Sequence, residues 1–338
     1  MAAEPKQPLR ALITGGAGFV GLHLARHLLL AGAEVTLLDD FSRGTPDDDF
    51  RELRGLVDVV EHDLTAPIPD GLLTGTFGSV YHLASVVGVQ RVNENPARVL
   101  DVNLRAALHV LDWCRRHPPE AVFLSSTSEV ADGAAHLGLT SYPTAENGPF
   151  ALADPALPRA SYALSKVAAE GLFRHDRTGL RVRIGRYHNI YGPRMGHEHV
   201  IPQFIARALA RQNPFEIYGA TQTRAFCHIE DAVAATVALM RLPDPEPLVV
   251  NIGNDREEIR IDRLAERVTE LAGYRPEFRI FAPPASSPER RLPGLTRLRE
   301  LTGYEPRIGL GDGLRDTFHW YATHAAPAAT RSVGGGGA

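Results

Sequence analysis

Tyr162 and Lys166 stand four residues apart in the run Ser161-Tyr162-Ala163-Leu164-Ser165-Lys166, one turn of a helix, so the two side chains share a face. An ammonium near a phenol favours the phenolate and draws a pKa of about 10 towards the working range of a general base. The same ammonium can donate to a cofactor ribose. Composition singles out this lysine: of the 36 basic residues only Lys6 and Lys166 are lysines, and Lys6 falls in the loose N-terminal stretch. In a chain that writes almost every cation as arginine, a retained lysine suggests a place that needs a compact ammonium with rotatable donors, which the planar guanidinium fork cannot replace.

A second cluster lies upstream. The apolar run Leu9 to Thr14 ends in Gly15-Gly16-Ala17-Gly18-Phe19-Val20-Gly21, and helical periodicity follows to Leu30. A glycine-rich turn between strand and helix lets backbone N–H groups approach a pyrophosphate at the helix N-terminus. Gly15, Gly18, Phe19 and Val20 are therefore the expected cofactor contacts. Asp39 lies 18 residues beyond Gly21 at a strand end, where its carboxylate can hold the ribose diol of NAD and disfavours the 2′-phosphate of NADP, although Arg43 nearby keeps NADP open. Asp63 and Leu64 after the third strand are placed at the adenine, and Leu83 and Ala84 after the fourth at the cofactor ribose.

The elements that must position these groups are strands at Leu9 to Thr14, Glu34 to Leu38, Val57 to Glu61, Ser79 to Leu83, Ala121 to Ser126 and Val182 to Arg186. Helices at about Pro96 to Arg116 and Tyr162 to His175 alternate with them, which predicts an α/β chain with a doubly wound parallel sheet of the Rossmann type. After Tyr187 the rhythm changes to helices near Ile201 to Arg211, Glu230 to Met240, Ile261 to Ala272 and Gly311 to Tyr321, separated by short strands and Pro-rich loops. Residues 1–186 are thus read as the NAD-binding domain, to which some later segments return. Residues 187–324 are read mainly as a smaller α/β substrate lobe, and 325–338 as a disordered tail.

With these residues in place the chain resembles an extended short-chain dehydrogenase/reductase of the nucleotide-sugar epimerase/dehydratase family. The likeness runs from about Leu9 to Tyr321. It is carried by the glycine turn, His82-Leu83-Ala84, Asn103, Ser125-Ser126-Thr127, Tyr162 with Lys166, Arg186-Tyr187-His188-Asn189-Ile190-Tyr191-Gly192-Pro193-Arg194 and Thr223-Arg224-Ala225-Phe226. The resemblance implies that Thr127 binds the sugar 4-hydroxyl, that Tyr162 removes its proton as C4 is oxidised, and that Lys166 supports the tyrosinate. It further implies that Asn103, Ser125, Tyr187 and His188 meet the cofactor and that Ser128, Glu129, Asn189, Arg224 and one of Arg290 or Arg291, with Arg291 favoured, meet the UDP-sugar. Val130 is followed by Ala131-Asp132 where relatives have Tyr-Gly, and Gly294 stands where they are often acidic, so one wall of the sugar site is reshaped.

Members of that family diverge after C4 oxidation. Dehydratases carry an Asp-Glu pair after the threonine, and Ser128-Glu129 here lacks the aspartate that would protonate a leaving 6-hydroxyl. UDP-glucuronate decarboxylases carry Thr-Ser-Glu, as in Thr127-Ser128-Glu129, yet their Tyr-Asp-Glu-Gly-Lys-Arg differs from Tyr162-Ala163-Leu164-Ser165-Lys166-Val167, a pattern closer to epimerases. Arg186 at its strand end resembles the arginine by which UDP-glucuronate 4-epimerases hold the sugar carboxylate. The favoured expectation is a UDP-sugar 4-epimerase converting UDP-glucuronate to UDP-galacturonate. Decarboxylation is the near alternative, followed by dehydration and, least favoured, a non-catalytic NAD-binding scaffold.

Length and composition agree with an enzyme of this kind. The chain has 338 residues, more than one core usually serves, and 44% of them are hydrophobic. A net charge of −4 supplies no long-range attraction for nucleic acid or an anionic membrane. Met1 to Arg10 has no apolar signal core, and Cys114 and Cys227 are too few for a disulfide framework, so both are read as packed thiols in a cytoplasmic protein. His197-Glu198-His199 lacks a third ligand, and no metal is expected. Val99, Leu108, Leu111, Val167 and Leu172 lie at helical spacings on the two helices that pair across a dimer in relatives, which predicts a homodimer.

Overall fold

The computed structural model describes residues 9–43, 47–284 and 287–324; Lys6 and the tail 325–338 lie outside them. Strands β1 (Arg10–Thr14), β2 (Glu34–Asp39), β3 (Asp58–Glu61), β4 (Ser79–His82), β5 (Ala121–Thr127) and β6 (Arg181–Tyr187) fall within a residue or two of the periodicity that predicts them. The helices between them are α1 (Phe19–Leu30), α2 (Asp48–Arg54), α3 (Val89–Glu94), α4 (Pro96–Arg116), α5 (Glu129–His136) and α6 (Pro158–Arg174). Proline in its first turn starts α6 four residues before Tyr162, earlier than the apolar period indicates. The short helix α5, too brief to show a period, is not foreseen.

Six of these strands join Leu248–Ile252 in one parallel seven-stranded sheet, ordered Leu248–Ile252, β6, β5, β4, β1, β2, β3. β4 and β5 are buried along their whole length because helices cover both faces. One apolar layer includes Leu22, Leu28, Phe50, Val233 and Leu298; the other includes Val110, Leu111, Trp113, Ala169 and Phe173. The chain leaves β1 towards β2 and β3 and then crosses to β4 on the other side. That reversal opens a crevice beyond the C-terminal ends of the strands, the usual ligand position of such sheets.

A third apolar cluster, with Ile201, Phe204, Phe215, Ile217, Leu264, Val268 and Leu314, forms the core of the smaller lobe. Short strand pairs build its surface: Phe215–Tyr218 with Phe278–Phe281, and Thr223–Ala225 between Glu258–Arg260 and Arg290–Arg291. The lobe is not continuous in sequence, since Ile229–Met240 and Thr296–Thr302 pack into the sheet core and Leu248–Ile252 joins the sheet itself. A parallel strand can be reached only by a crossover, so the chain must return.

Of the apolar residues assigned to a dimer face, Val99 and Leu111 are buried within the chain, where α4 and α6 pack together. Leu108 remains 41% exposed and Leu164, which the sequence reading passes over, equally so. Among the described residues no helix is long and apolar enough to cross a membrane.

Candidate active site

A cavity of about 730 Å³ follows the strand ends, lined in order by Gly15, Asp39, Asp63, Leu83, Ser125 to Glu129 and Tyr187. Gly15 has φ 69°, and a Cβ there would come within 2.7 Å of the Ala84 nitrogen, so only glycine lets the turn sit this close to the next strand. Gly18 precedes α1 with no side-chain cap, which leaves the first N–H groups of the helix to an anion. Asp39 accepts from the backbone N–H of Ala17 (3.0 Å) and of Phe41 (2.9 Å) and keeps lone pairs for a diol. Burial raises its pKa while those two N–H groups oppose the rise. Phe19, Val20, Leu64 and Ala84 complete the wall. Uncapped N–H groups, an aspartate at the second strand and a cavity of this length fit NAD.

Thr127 closes β5 in register with Tyr187 on β6. From α6, Lys166 donates through Nζ to the Ser125 carbonyl (3.0 Å), and the same nitrogen lies 5.8 Å from the centre of the Tyr162 ring. Burial lowers the Lys166 pKa to about 8, with Glu170 opposing, so the ammonium is close to giving up its proton near neutrality. Tyr162 departs from the expectation of an eased phenol. Burial first and the Glu129 carboxylate second push its pKa well up, and only the Thr127 hydroxyl and more distant guanidinium groups pull it back. Burial, reinforced by the Glu129 carboxylate, therefore holds the phenol protonated.

Glu129, at the start of α5, receives Arg159 in bidentate fashion (2.7 and 3.0 Å) and faces Arg291 at 3.5 Å. Burial works against its charge, yet Arg159 and Arg291 hold the carboxyl down at about 2. Arg291 in turn pairs with Asp132, one turn along α5. The departure at Ala131-Asp132 thus has a structural consequence: the aspartate anchors Arg291 where it lines the cavity beside Glu129. Arg159 is absent from the sequence reading, although its place three residues before Tyr162 on one helix face is a signal for it. Arg194 is likewise passed over as a site residue. It lines the cavity and donates to the carbonyls of Ala17 (3.0 Å) and Gly18 (3.1 Å) and to Asp47 (2.6 Å), fastening the lobe to the glycine turn.

Four side chains assigned from sequence do not line this cavity. Arg186, 3% exposed, is held by Glu170 through Nε (2.9 Å) and Nη2 (2.8 Å) and by the Glu146 carbonyl (3.0 Å), so it does not emerge beside a sugar ring. Asn103 uses both ends of its amide on the backbone of Val86 (2.7 and 3.1 Å) and holds the wall rather than the cofactor. Arg224 is enclosed by the carbonyls of Thr223 and Pro288 (2.7 Å each) and by Ser287. His188 faces a separate small recess. Asn189 does line the cavity, its amide tied to the Ala225 carbonyl (2.9 Å), and His197, Glu198 and His199 line it from the lobe.

Comparison with known proteins agrees with this geometry. Residues 11–253 match the NAD dependent epimerase/dehydratase family. The chain is 33% identical over 327 residues to UDP-glucuronic acid decarboxylase 1 of Xenopus tropicalis, covering 94% of this chain and 73% of that one. It is 31% identical over 323 residues to the UDP-N-acetyl-alpha-D-glucosaminuronate decarboxylase of Bacillus cytotoxicus, covering 92% and 97%. Among solved structures, the UDP-glucose 4-epimerase of Thermus thermophilus in complex with NAD superposes with a TM-score of 0.77 at 27% identity, covering 94% of this chain and all of that one.

Proposed function

The chain belongs to the NAD-dependent epimerase/dehydratase family, and we propose that within it this protein decarboxylates a UDP-linked hexuronate after oxidation at C4. Bound NAD would supply the hydride acceptor for C4 and a positively charged ring. Asp39 holds its ribose diol and the uncapped turn at Gly15 to Val20 its pyrophosphate. Thr127 binds the 4-hydroxyl and Tyr162 takes its proton, with the Thr127 hydroxyl and the Arg159 and Arg291 guanidinium groups opposing the burial that keeps the phenol protonated. A ketone at C4 makes the C6 carboxylate a β-keto acid. Its C5–C6 bond then breaks, the electron pair moves towards C5 and the C4 oxygen, carbon dioxide leaves, and Tyr162 returns its proton to C5; return of the hydride to C4, with a proton drawn from solvent through Tyr162, would leave a UDP-pentose lighter than the substrate by carbon dioxide alone.

Glu129 carries the choice of reaction. It ends the run Thr127-Ser128-Glu129, and two arginines hold it ionised in the cavity. A fixed anion beside a substrate carboxylate in a poorly solvated site favours the step that turns that carboxylate into neutral carbon dioxide. Arg186, the clamp that would keep the carboxylate in place for epimerisation, is already committed to Glu170. The two sequence relatives named above, decarboxylases of UDP-linked uronates, support the same reading, while the superposed 4-epimerase supports a second one.

A second reading, 4-epimerisation of UDP-glucuronate to UDP-galacturonate, is favoured by Tyr162-Ala163-Leu164-Ser165-Lys166-Val167. Mass spectrometry of the product from UDP-glucuronate separates the two. Loss of the mass of carbon dioxide supports decarboxylation, an isobaric product means epimerase, and loss of water means dehydratase. The exposed Leu108 on α4 and Leu164 on α6 support a homodimer through these helices, and light scattering that shows only monomer at micromolar concentration would refute it.

A further inference from the structure

Beside the large cavity lies a recess of about 10 Å³, lined by Ser128, Asp132, Tyr142, Thr144, His188 and Arg291. Ser128 and Arg291 line both, so the recess opens off the sugar end. Its size admits one water-sized group, such as a hydroxyl, and little more.

His188 is 3% exposed and its ring is oriented from behind. The Asn251 amide donates to the carbonyls of Thr144 (2.9 Å) and Gly294 (3.2 Å), which identifies its Oδ1 as the atom 3.0 Å from His188 Nε2. Nε2 therefore carries the hydrogen and Nδ1 is a bare acceptor. Among the described residues Nδ1 has no partner, although it is sealed from solvent. Burial pushes the ring's pKa down to about 3, against the Asn251 bond, so it stays neutral and remains an acceptor at any working pH. Buried acceptors are rarely left unpaired, and one at the edge of a binding cavity points to a donor on the ligand.

We propose that His188 is a specificity-determining residue whose Nδ1 accepts a hydrogen bond from the sugar 3-hydroxyl. The inference rests on the reading that Thr127 holds the 4-hydroxyl. Ser128, the next residue, opens the recess, so the group that enters belongs to a carbon beside C4. C5 of a uronate offers a carboxylate, which only accepts; C3 offers a hydroxyl, which donates. The recess therefore selects for a free 3-hydroxyl and against 3-deoxy or 3-O-substituted sugars.

The test compares UDP-glucuronate with its 3-deoxy analogue on the NAD-loaded enzyme, by calorimetric binding and by kcat/KM. The wild type should favour the 3-hydroxy sugar roughly 10- to 100-fold. His188→Phe, which keeps a ring but loses the acceptor together with the Nε2–H donated to Asn251, should bring that ratio close to one with NAD affinity unchanged, and His188→Asn, which keeps an oxygen near the Nδ1 position, should restore part of it. In the wild type the nitrogen-15 resonance of the unprotonated His188 nitrogen should shift on binding UDP-glucuronate and not on binding the analogue, a readout that needs no variant. Equal affinity of the wild type for both sugars, an undiminished ratio in His188→Phe or an unmoved nitrogen resonance would each overturn the assignment. Failure of the decarboxylase reading shows separately in the product's mass, because both reactions begin at the same hydroxyl and leave the affinity ratio meaningful.

Discussion

Two guanidinium–carboxylate networks flank Tyr162 and Lys166 along α6, and they do different work. Behind Lys166, Glu170 is fully buried against Arg186 and Ser126, and no member of that pair is free to meet a ligand. In front of Tyr162, Arg159 reaches Glu129, which together with Arg291 lines the cavity. Both networks are rich in charge and close to the reacting groups. The difference lies in whether partners within the fold consume the donors and acceptors, and residue type alone does not reveal this. The rear network fastens β5, β6 and α6 to one another; the front one presents an ionised carboxylate to the cavity.

Between the two networks sits the group whose loss should matter most. Tyr162→Phe removes the base and leaves the ring's packing, so turnover should fall by roughly 10² to 10⁴-fold while NAD still binds; wild-type turnover would end the assignment. Next is the rear network, where Arg186→Leu strands a buried carboxylate. It should cost about 3 to 5 kcal/mol in chemical denaturation, whatever substrate is used. Should the variant melt normally and lose only activity on uronates, the contrast between the networks would collapse.

Lys166 tests the same boundary through pH. The unfolded chain holds the lysine proton to a pKa of about 10.4 and the folded chain only to about 8, so burying the ammonium lowers stability below pH 8 and the cost fades as pH rises towards 10. Lys166→Met should therefore be inactive but more stable than wild type at pH 7, by up to about 3 kcal/mol, with the gain shrinking in alkaline melts. A gain that does not depend on pH would show that the ammonium is not strained. Glu129→Gln should give the smallest loss of stability of the charge changes, since Arg291 keeps Asp132, and a fall of roughly 10² in turnover. Unchanged turnover on UDP-glucuronate would remove the anion from the mechanism.

Much of this arrangement was legible in the chain itself, because it depends on local period. The glycine turn after an apolar strand, Asp39 at the next strand end and the four-residue spacing of Tyr162 and Lys166 fix which side chains share an edge or a face. What period could not decide was the partner of each polar group. Adjacent residues on a strand point to opposite faces, so of Arg186 and Tyr187 one must face α6 and the other Ile229–Met240. Glu170 on α6 takes the arginine, and Thr236 takes the tyrosine hydroxyl (2.8 Å). Arg224 among carbonyls, Asn103 on Val86 and His188 with one nitrogen left over are decisions of the same kind. The sequence by itself determined the sheet, the glycine turn with its aspartate and the shared helix face of Tyr162 and Lys166, since these rest on patterns a few residues long. Only the tertiary structure decided which charges are free to meet the sugar, because a buried donor satisfied by a distant segment is unavailable to a ligand, and that distance does not appear in the spacing of residues along the chain.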